Sequence, residues 1–201
     1  MQITKQTTLI ILDWDDTLFP TNWVMKRKIN LLKASERDQY TDYFQELDRV
    51  LFKLLEIVND MGTVVIVTNA MLNWVDVSSI VLPRTYAILK KIKIISARAR
   101  YKKISSSAME WKRMAFTDVV RDELKTSNSM NIISVGDAEY EYRALISLNN
   151  KYKNPNKYLK SVKFMRNPTH DKLIDQLEVL KNAVIDVWSK EQHLDLVFDN
   201  K

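Results

Sequence analysis

The sequence predicts an α/β fold, a Rossmann-like three-layer sandwich around a central five-stranded parallel sheet. Five short apolar runs rich in Ile and Val alternate with segments of helical periodicity. Most of these runs are continuous, which is typical of parallel strands buried on both faces. Strands that alternate with helices favour a single parallel sheet. The length of 201 residues suits one domain over 1–201, with a core at about 7–190.

The elements follow from these patterns in chain order. Apolar runs predict strands at 8–13, 63–68, 92–96, 131–135 and 161–165. Three-to-four spacing of apolar residues predicts helices at 36–60, 72–82, 84–91, 108–126, 138–148 and 169–190. Gly62 follows the first of these helices as its expected end, and Pro83 and Pro168 stand at expected helix boundaries. The polar stretch 149–160 predicts an exposed loop, and 191–201 predicts a frayed tail.

Composition excludes several kinds of chemistry. The chain has no cysteine, so it has no thiolate nucleophile and no cysteine-bound metal. Its two histidines and two glycines argue against a histidine-rich metal site and against a glycine-rich phosphate loop. No apolar run reaches the length of a membrane-spanning helix, and the N-terminus does not resemble a signal peptide. We therefore expect a cytoplasmic, intracellular protein that does not engage a membrane.

Polar side chains follow the predicted strands, where the functional groups of a parallel sheet gather. Asp13, Asp15 and Thr17 come after the first strand, and Thr68 and Asn69 end the second. The other strand ends carry Ser96 to Arg98, Gly136 with Asp137, and Arg166 with Asn167. We expect most of these side chains to meet at one edge of the sheet and to bind a metal or an anion there.

The carboxylates at the first strand end explain what such an edge could do. Asp13 and Asp15 can face one site if the chain turns sharply after Asp13. A carboxylate nucleophile with a second acid cleaves phosphate esters through an aspartyl-phosphate. Mg²⁺ would supply the positive charge that this reaction needs, with Asp137 completing its site beside Asp13. The Thr68 hydroxyl and the Lys112 ammonium could then hold phosphoryl oxygens.

The order Asp13-x-Asp15-x-Thr17, Thr68 at a strand end, Lys112, then Gly136-Asp137-x-x-x-Glu141 resembles the haloacid dehalogenase (HAD) superfamily. The resemblance implies that Asp13 is the nucleophile and Asp15 the general acid/base, as in the phosphatase branch of that superfamily. It implies that Thr68 and Lys112 hold the phosphoryl group, and that Asp13, the Asp15 backbone carbonyl and Asp137 hold Mg²⁺. Glu141 would support the metal site.

A closer resemblance extends over most of the chain. The strings VTNAMLNWVDVS, ISARARY, EWKRMAF and ISVGDAEYE resemble poorly characterised, uncapped HAD-like proteins of protists and fungi. The segments between the motifs have no room for the sizeable cap domain that many members of the superfamily carry. An uncapped site favours a large phosphorylated substrate without excluding a small one.

A basic segment, defined as residues 84–113, borders the expected site. It holds ten Lys or Arg against one acidic residue, Glu110. The segment is either a solvated face or an anion-attracting surface, and Arg98 within it is a candidate substrate contact. Tyr101 among the cations admits nucleic acid as a partner, which we do not favour. The sequence does not define the physiological substrate or the oligomeric state.

Several residues near the motifs could have a structural role instead of a catalytic or binding role. Asp16 is expected to cap or brace the turn, and Asn69 either binds phosphate or caps the next helix. The five tryptophans are expected in the core, and His170 in the first turn of the last helix.

Two functions other than a phosphatase stay open at this point. A catalytically weak HAD fold could serve as a phosphate-binding or scaffold protein, which turnover of a generic phosphate ester would separate from an enzyme. A receiver domain of a signalling relay also uses clustered Asp, Thr and Lys. Its acidic pair and its phosphorylated Asp come from separate strands, whereas Asp13 and Asp15 are contiguous with one strand.

Overall fold

A computed structural model of the chain describes residues 3–123, 131–152 and 157–198. Within these residues six strands form one sheet in which every neighbouring pair is parallel. The strands are β1 (Thr8–Leu12), β2 (Thr63–Thr68), β3 (Lys93–Ser96), β4 (Asn131–Gly136), β5 (Tyr158–Lys163) and β6 (Leu194–Val197). Their order across the sheet is β3-β2-β1-β4-β5-β6.

Helices connect the strands and cover both faces of the sheet. They are α1 (Thr21–Lys26), α2 (Ala34–Arg37), α3 (Thr41–Met61), α4 (Leu72–Ser79), α5 (Pro83–Leu89), α6 (Ala97–Tyr101), α7 (Ala108–Glu123), α8 (Glu139–Lys151) and α9 (His170–Trp188). Short 3₁₀ turns lie at Lys5–Thr7 and Asp38–Tyr40. Gly62 caps the end of α3 and Pro83 begins α5, as predicted.

Two apolar cores fill the space between the sheet and the helices. The alternate residues of β1 show the division, because Ile10 and Leu12 face one core and Leu9 and Ile11 face the other. The first core takes its helical residues chiefly from α3 and α9, and the second takes them from α7 and α8. Continuous apolar strands are needed for such a sheet because water reaches neither face.

The prediction of an α/β fold with a parallel sheet is confirmed, and the prediction of five strands is wrong. The segment 191–201 was expected to be frayed, but β6 lies within it and pairs with β5. Three of the four residues of β6 are exposed, so the apolar pattern that marks a buried strand is weak. The three residues after Phe198 lie outside the described residues.

The fifth strand begins earlier than the sequence predicts. It covers Tyr158–Lys163 instead of 161–165, and α8 continues to Lys151, so 149–160 is not one exposed loop. Lys160 makes the start of this strand look polar, yet its side chain is fully buried. The predicted end of the helix at 108–126 falls partly on residues outside the described ranges.

The strand order places the carboxyl edge of the sheet where a binding crevice is expected. β1 lies between β2 and β4, and the chain winds from β1 towards β3 on one side and through β4 to β6 on the other. Ligands of open α/β sheets bind outside the carboxyl ends of strands at such a reversal. In the part of the chain that is described, no helix is both long and apolar enough to cross a membrane.

Candidate active site

The chain turns sharply after β1 and brings two aspartates to one cleft. The Asp13 N–H donates to the Val135 carbonyl of β4 at 2.9 Å, which fixes the start of the turn. The Trp14 carbonyl then accepts the amides of residues 17, 18 and 19. Asp16 takes a left-handed conformation with φ of 53°, which Asp tolerates better than most residues. Asp13 and Asp15 consequently both line the same cleft, as the sequence predicts.

Lys112 joins the nucleophile candidate to α8. Its Nζ donates to Asp13 Oδ1 at 2.6 Å and to the Val67 carbonyl at 2.6 Å, and it lies 2.7 Å from Glu141 Oε1. These three contacts use all three N–H donors of the ammonium. Lys112 therefore contacts the carboxylates, and direct binding of a phosphoryl oxygen would require one of these contacts to be replaced.

Gly136 at the end of β4 makes room for Glu141. A Cβ at Gly136 would lie 2.3 Å from Glu141 Cγ and 2.8 Å from its Oε2. Any side chain at 136 would therefore force the Glu141 carboxylate out of its place. This explains why glycine precedes Asp137, since the carboxylate packs directly over the backbone at the strand end.

Three acidic residues form a cluster suited to a cation. Oxygens of Asp13, Asp137 and Glu141, the carboxylate cluster, lie within 4.8 Å of one another. Glu141 Oε2 is buried and has no hydrogen-bond partner. Lys112 is the only cation in contact among the described residues, so the three carboxylates, when all are ionised, carry two negative charges more than it compensates. A divalent cation with oxygen ligands fits both this charge and this donor set.

The electrostatics of the cluster show the same imbalance. Burial, with the nearby charges of Glu141, Asp15 and Asp137, raises the pKa of Asp13 above its ordinary value, although Lys112 opposes the shift. Burial, then Glu141 and Asp16, raises the pKa of Asp137 to about 7. Burial disfavours the ammonium of Lys112, but the Asp13 and Glu141 carboxylates outweigh it and raise the pKa of Lys112. Burial first, and then the nearby carboxylates, thus favour the protonated form of Asp13 and Asp137 when no cation compensates them.

The Asp15 carboxylate lies in a different environment, surrounded by neutral donors. Its Oδ1 accepts from Thr21 Oγ1 at 2.6 Å and from Trp74 Nε1 at 2.9 Å. Its Oδ2 accepts from Thr68 Oγ1 at 2.9 Å. Two aspartates that are two residues apart therefore have separate partners: Asp13 has the ammonium, and Asp15 has hydroxyls and an indole.

The remaining predicted site residues lie nearby in different roles. Thr68 is fully buried and also accepts the Ala70 N–H at 2.8 Å. Asn69 lines the cleft; its Nδ2 donates to the Ala108 carbonyl at 3.3 Å, and its buried Oδ1 has no partner. Thr17 is fully buried and outside the cleft lining, and its hydroxyl has no hydrogen-bond partner.

Asp16 braces the turn, as predicted, by bonding to the start of α1. Its Oδ1 accepts the Asn22 N–H in the first turn of α1 at 2.9 Å, and its Oδ2 accepts from the Asn22 side chain. The Asn22 side chain also donates to Asn167 Oδ1 at 2.5 Å. Asn167 follows β5 and has a φ of 49°. These bonds join the loop after β1 to the loop after β5 across the mouth of the cleft.

The acidic cleft that these groups line has a volume of about 190 Å³. Five carboxylates and two cations, Lys112 and Arg166, face it, so its lining is strongly negative. Arg166 is exposed and makes no ion pair with any residue in the described ranges. Arg98, the predicted substrate contact, is exposed on α6 and does not line the cleft.

Other sequence predictions turn out unevenly. Tyr101 is buried and donates to Asp118, so it cannot be the exposed stacking surface considered for nucleic acid. The ring of Trp14 is fully buried and stacks on Phe19, with its N–H on Ser78. His170 begins α9, where it is buried and bonded to the Tyr43 carbonyl.

Sequence reasoning missed Thr21, Asn22 and Trp74. Trp74 lies in the first turn of α4, six residues after Thr68, and is only half-buried. A tryptophan so close to a strand end was the available signal, but residue type alone assigns it to the core. Nothing in the sequence shows that its N–H meets Asp15.

The chain was also compared with known proteins. Neither a scan against protein-family models nor a search of curated proteins found a match. Membership of the HAD superfamily therefore stays a prediction from the motifs and their order.

Proposed function

We propose that the protein is a Mg²⁺-dependent phosphohydrolase that cleaves a phosphate monoester through an aspartyl-phosphate on Asp13. One observation carries the proposal: Asp13 shares a buried site with Lys112 and two further carboxylates, with Asp15 in the same cleft. A nucleophile, a second acid and a cation site at a strand-order reversal are the parts that this reaction needs. An uncapped HAD-like domain is part of the same proposal.

The chain's own groups account for each bond change. An Asp13 carboxylate oxygen attacks phosphorus, and the bond from phosphorus to the ester oxygen breaks. Asp15, holding a proton, gives it to that leaving oxygen. Asp15 then accepts a proton from water as the water oxygen attacks phosphorus, and the bond to Asp13 breaks to release inorganic phosphate. The carboxylate of Asp13 and the proton on Asp15 are both restored.

Lys112 has a defined role in this scheme. Its contact with Asp13 Oδ1 orients the nucleophile and places a fixed positive charge beside the position where phosphoryl oxygens gain charge. Thr68, already in contact with Asp15, and Asn69, whose Nδ2 is its hydrogen-bond donor, complete the side chains around the phosphoryl group.

The carboxylate cluster would hold Mg²⁺, with the Asp15 backbone carbonyl as the further ligand that the resemblance implies. When bound, Mg²⁺ supplies the positive charge that lets an anionic phosphoryl group approach a cleft lined by five carboxylates. The partnerless Glu141 Oε2 is the observation that favours this fit, since a buried carboxylate oxygen needs a cation or a donor.

The substrate is a phosphorylated molecule, small or macromolecular, and we place the protein inside the cell. Arg166 replaces Arg98 as the candidate contact for the substrate beyond its phosphoryl group. It lines the acidic cleft, and no carboxylate of the described residues neutralises it. Nucleic acid is not favoured as the partner, because Tyr101 is buried and cannot stack on a base.

Hydrolysis of para-nitrophenyl phosphate with and without Mg²⁺ tests the proposal, alongside Asp13→Asn. We expect turnover that requires Mg²⁺ and that falls below detection in the variant. Thermal unfolding of Asp13→Asn must show a folded protein for the comparison to count. Turnover that survives in the variant would contradict the role of Asp13, and a folded wild type without turnover would favour a phosphate-binding protein.

A further inference from the structure

Trp74 forms an unusual contact with the second aspartate of the site. Its Nε1 lies 2.9 Å from Asp15 Oδ1 and 3.2 Å from Thr21 Oγ1. The indole meets the edge of Phe19 at 6.0 Å between ring centroids with an interplanar angle of 80°. Phe19 is fully buried and belongs to the first core, the one that includes α3 and α9. The indole N–H is therefore held in place by packing before any substrate binds.

The chemistry of the donors makes the two oxygens of Asp15 unequal. An indole N–H can only donate a hydrogen bond, whereas a hydroxyl can donate or accept. Trp74 therefore requires Asp15 Oδ1 to be an acceptor. The partner of Oδ2 is the Thr68 hydroxyl, which can exchange the two roles. Oδ2 is consequently the oxygen directed to the phosphoryl site, because its partner Thr68 belongs to that site while Trp74 and Thr21 hold Oδ1.

We propose that Trp74 is a positioning residue that fixes the Asp15 carboxyl so that Oδ2 delivers the proton to the leaving oxygen. This inference rests on the proposed function, because it assigns a role within that reaction. Trp74 itself touches no reacting atom. Its N–H prevents the carboxyl group from rotating, and Thr21 reinforces the same oxygen at 2.6 Å.

The proposal has a consequence for the substrates that the enzyme can use. A nitrophenolate leaves readily without a proton, whereas an alkoxide needs one as its bond to phosphorus breaks. A correctly placed Asp15 therefore matters little for an aryl ester and greatly for an alkyl ester. The site would be built for phosphate esters of alcohols, such as those of sugars, polyols or hydroxyl-bearing side chains.

A matched pair of substrates isolates this effect. Para-nitrophenyl phosphate and para-nitrobenzyl phosphate differ by one methylene, and only the second leaves as an alkoxide. In Trp74→Phe, we expect kcat/KM to fall at least about tenfold for the benzyl ester and less than about threefold for the phenyl ester. The ratio kcat/KM reports the transfer to Asp13, the step in which Asp15 acts as an acid.

Trp111→Phe is the matched control. Trp111 is also half-buried, and its N–H donates to a loop carbonyl, that of Ser105, at 2.6 Å. Both substrates should keep their wild-type kcat/KM in that variant. Thr21→Val removes the other donor to Asp15 Oδ1 and should shift the ratio between the two substrates in the same direction, even if Trp74→Phe does not fold.

The outcomes separate the two proposals. An equal fall for both esters in Trp74→Phe and in Thr21→Val would overturn the positioning role and leave the phosphatase proposal intact. A wild type that hydrolyses neither ester would overturn the phosphatase proposal, and the role of Trp74 with it. A selective loss for the benzyl ester, absent from Trp111→Phe, would support both.

Discussion

Two lysines of this protein, Lys112 and Lys160, are buried to the same extent but differ in the charges that surround them. Lys112 is 1% exposed at the carboxyl edge of the sheet and contacts two carboxylates. Lys160 is 0% exposed near the amino ends of the strands, where its Nζ donates to the Trp188 carbonyl that ends α9. The carboxylates raise the pKa of Lys112, whereas burial lowers that of Lys160 to about 8.

The contrast separates Lys112, to which we assign a function, from Lys160, whose role is structural. Lys160 meets only the negative end of a helix, which it shares with Asn131 at 3.0 Å. Lys112 meets more negative charge than it can neutralise, and the surplus is buried. A fold that needed only stability would not gather these carboxyl groups, because burying them is costly whether they stay charged or, as the raised pKa values of Asp13 and Asp137 indicate, take up protons without a cation. Four variants test this difference between the two ends of the sheet, from the largest expected effect to the smallest.

Lys112→Met should reduce turnover of para-nitrophenyl phosphate by about 10³-fold, because Asp13, the proposed nucleophile, loses its fixed partner. It should also lower the free energy of unfolding without Mg²⁺ by about 3 kcal/mol, since two buried carboxylates lose their cation. Steady-state kinetics and chemical denaturation measure these effects. Arg113→Met, at the next position but exposed and paired with Glu110, should change neither. Full activity in Lys112→Met would refute the proposed role of Lys112 in the reaction.

Gly136→Ala should weaken Mg²⁺ binding by about 10- to 100-fold, the range seen when supporting groups of a metal site are disturbed. The added methyl would meet Glu141 Cγ at 2.3 Å, so the Glu141 side chain must shift from its place beside Asp13 and Asp137. Calorimetric titration with Mg²⁺ measures the change. Glu141→Gln, which keeps the shape and removes the charge, should show a loss in the same range. Unchanged binding in both variants would remove Glu141 from the site.

Lys160→Met should raise the free energy of unfolding by about 1–2 kcal/mol at pH 7, because it removes the cost of burying a charge at the loss of one hydrogen bond. The folded pKa of about 8 lies below the unfolded value of about 10.4. Between these values the unfolded chain binds more protons, so wild-type stability should rise with pH and the advantage of the variant should shrink. Chemical denaturation of the wild type and of Lys160→Met at pH 7 and pH 10 measures both effects. A variant less stable than the wild type at pH 7 would contradict the prediction.

Arg166→Gln should give the smallest effect, about a fivefold increase in KM with little change in kcat, for a substrate with an anionic group beyond its phosphoryl group. An exposed cation contributes uniform binding and little to the chemical step. Arg166→Lys should recover part of the loss. Arg98→Gln, outside the cleft, should leave KM unchanged, and an increase there would reinstate Arg98 as the substrate contact.

Much of this arrangement could be predicted from the sequence because the signals are local. The apolar runs of β1, β2 and β4 are continuous, and the residues that follow them define the site edge. The sequence did not predict the sixth strand because its residues are mostly exposed. It also did not predict the start of β5, because a hydrophobicity pattern treats Lys160 as a surface residue and cannot show that its side chain is buried against the end of a helix. Trp74 was missed as a partner of Asp15 because the contact depends on α4 approaching the loop after β1, between residues 59 apart in sequence.

The position of β1 in the sheet also affects how the protein reaches its native state. β1 is the first strand in the chain, yet it pairs with β4, and 123 residues separate Thr8 from Asn131, which lie opposite each other in that pair. Contacts between residues so far apart in sequence form slowly, because the chain must lose the entropy of closing a long loop before the contacts can stabilise it. Asp13 meets Asp137 only once this pairing is made. A Mg²⁺ ion bound as proposed would therefore stabilise the finished sheet without guiding its assembly, and we expect it to slow unfolding while leaving the folding rate unchanged.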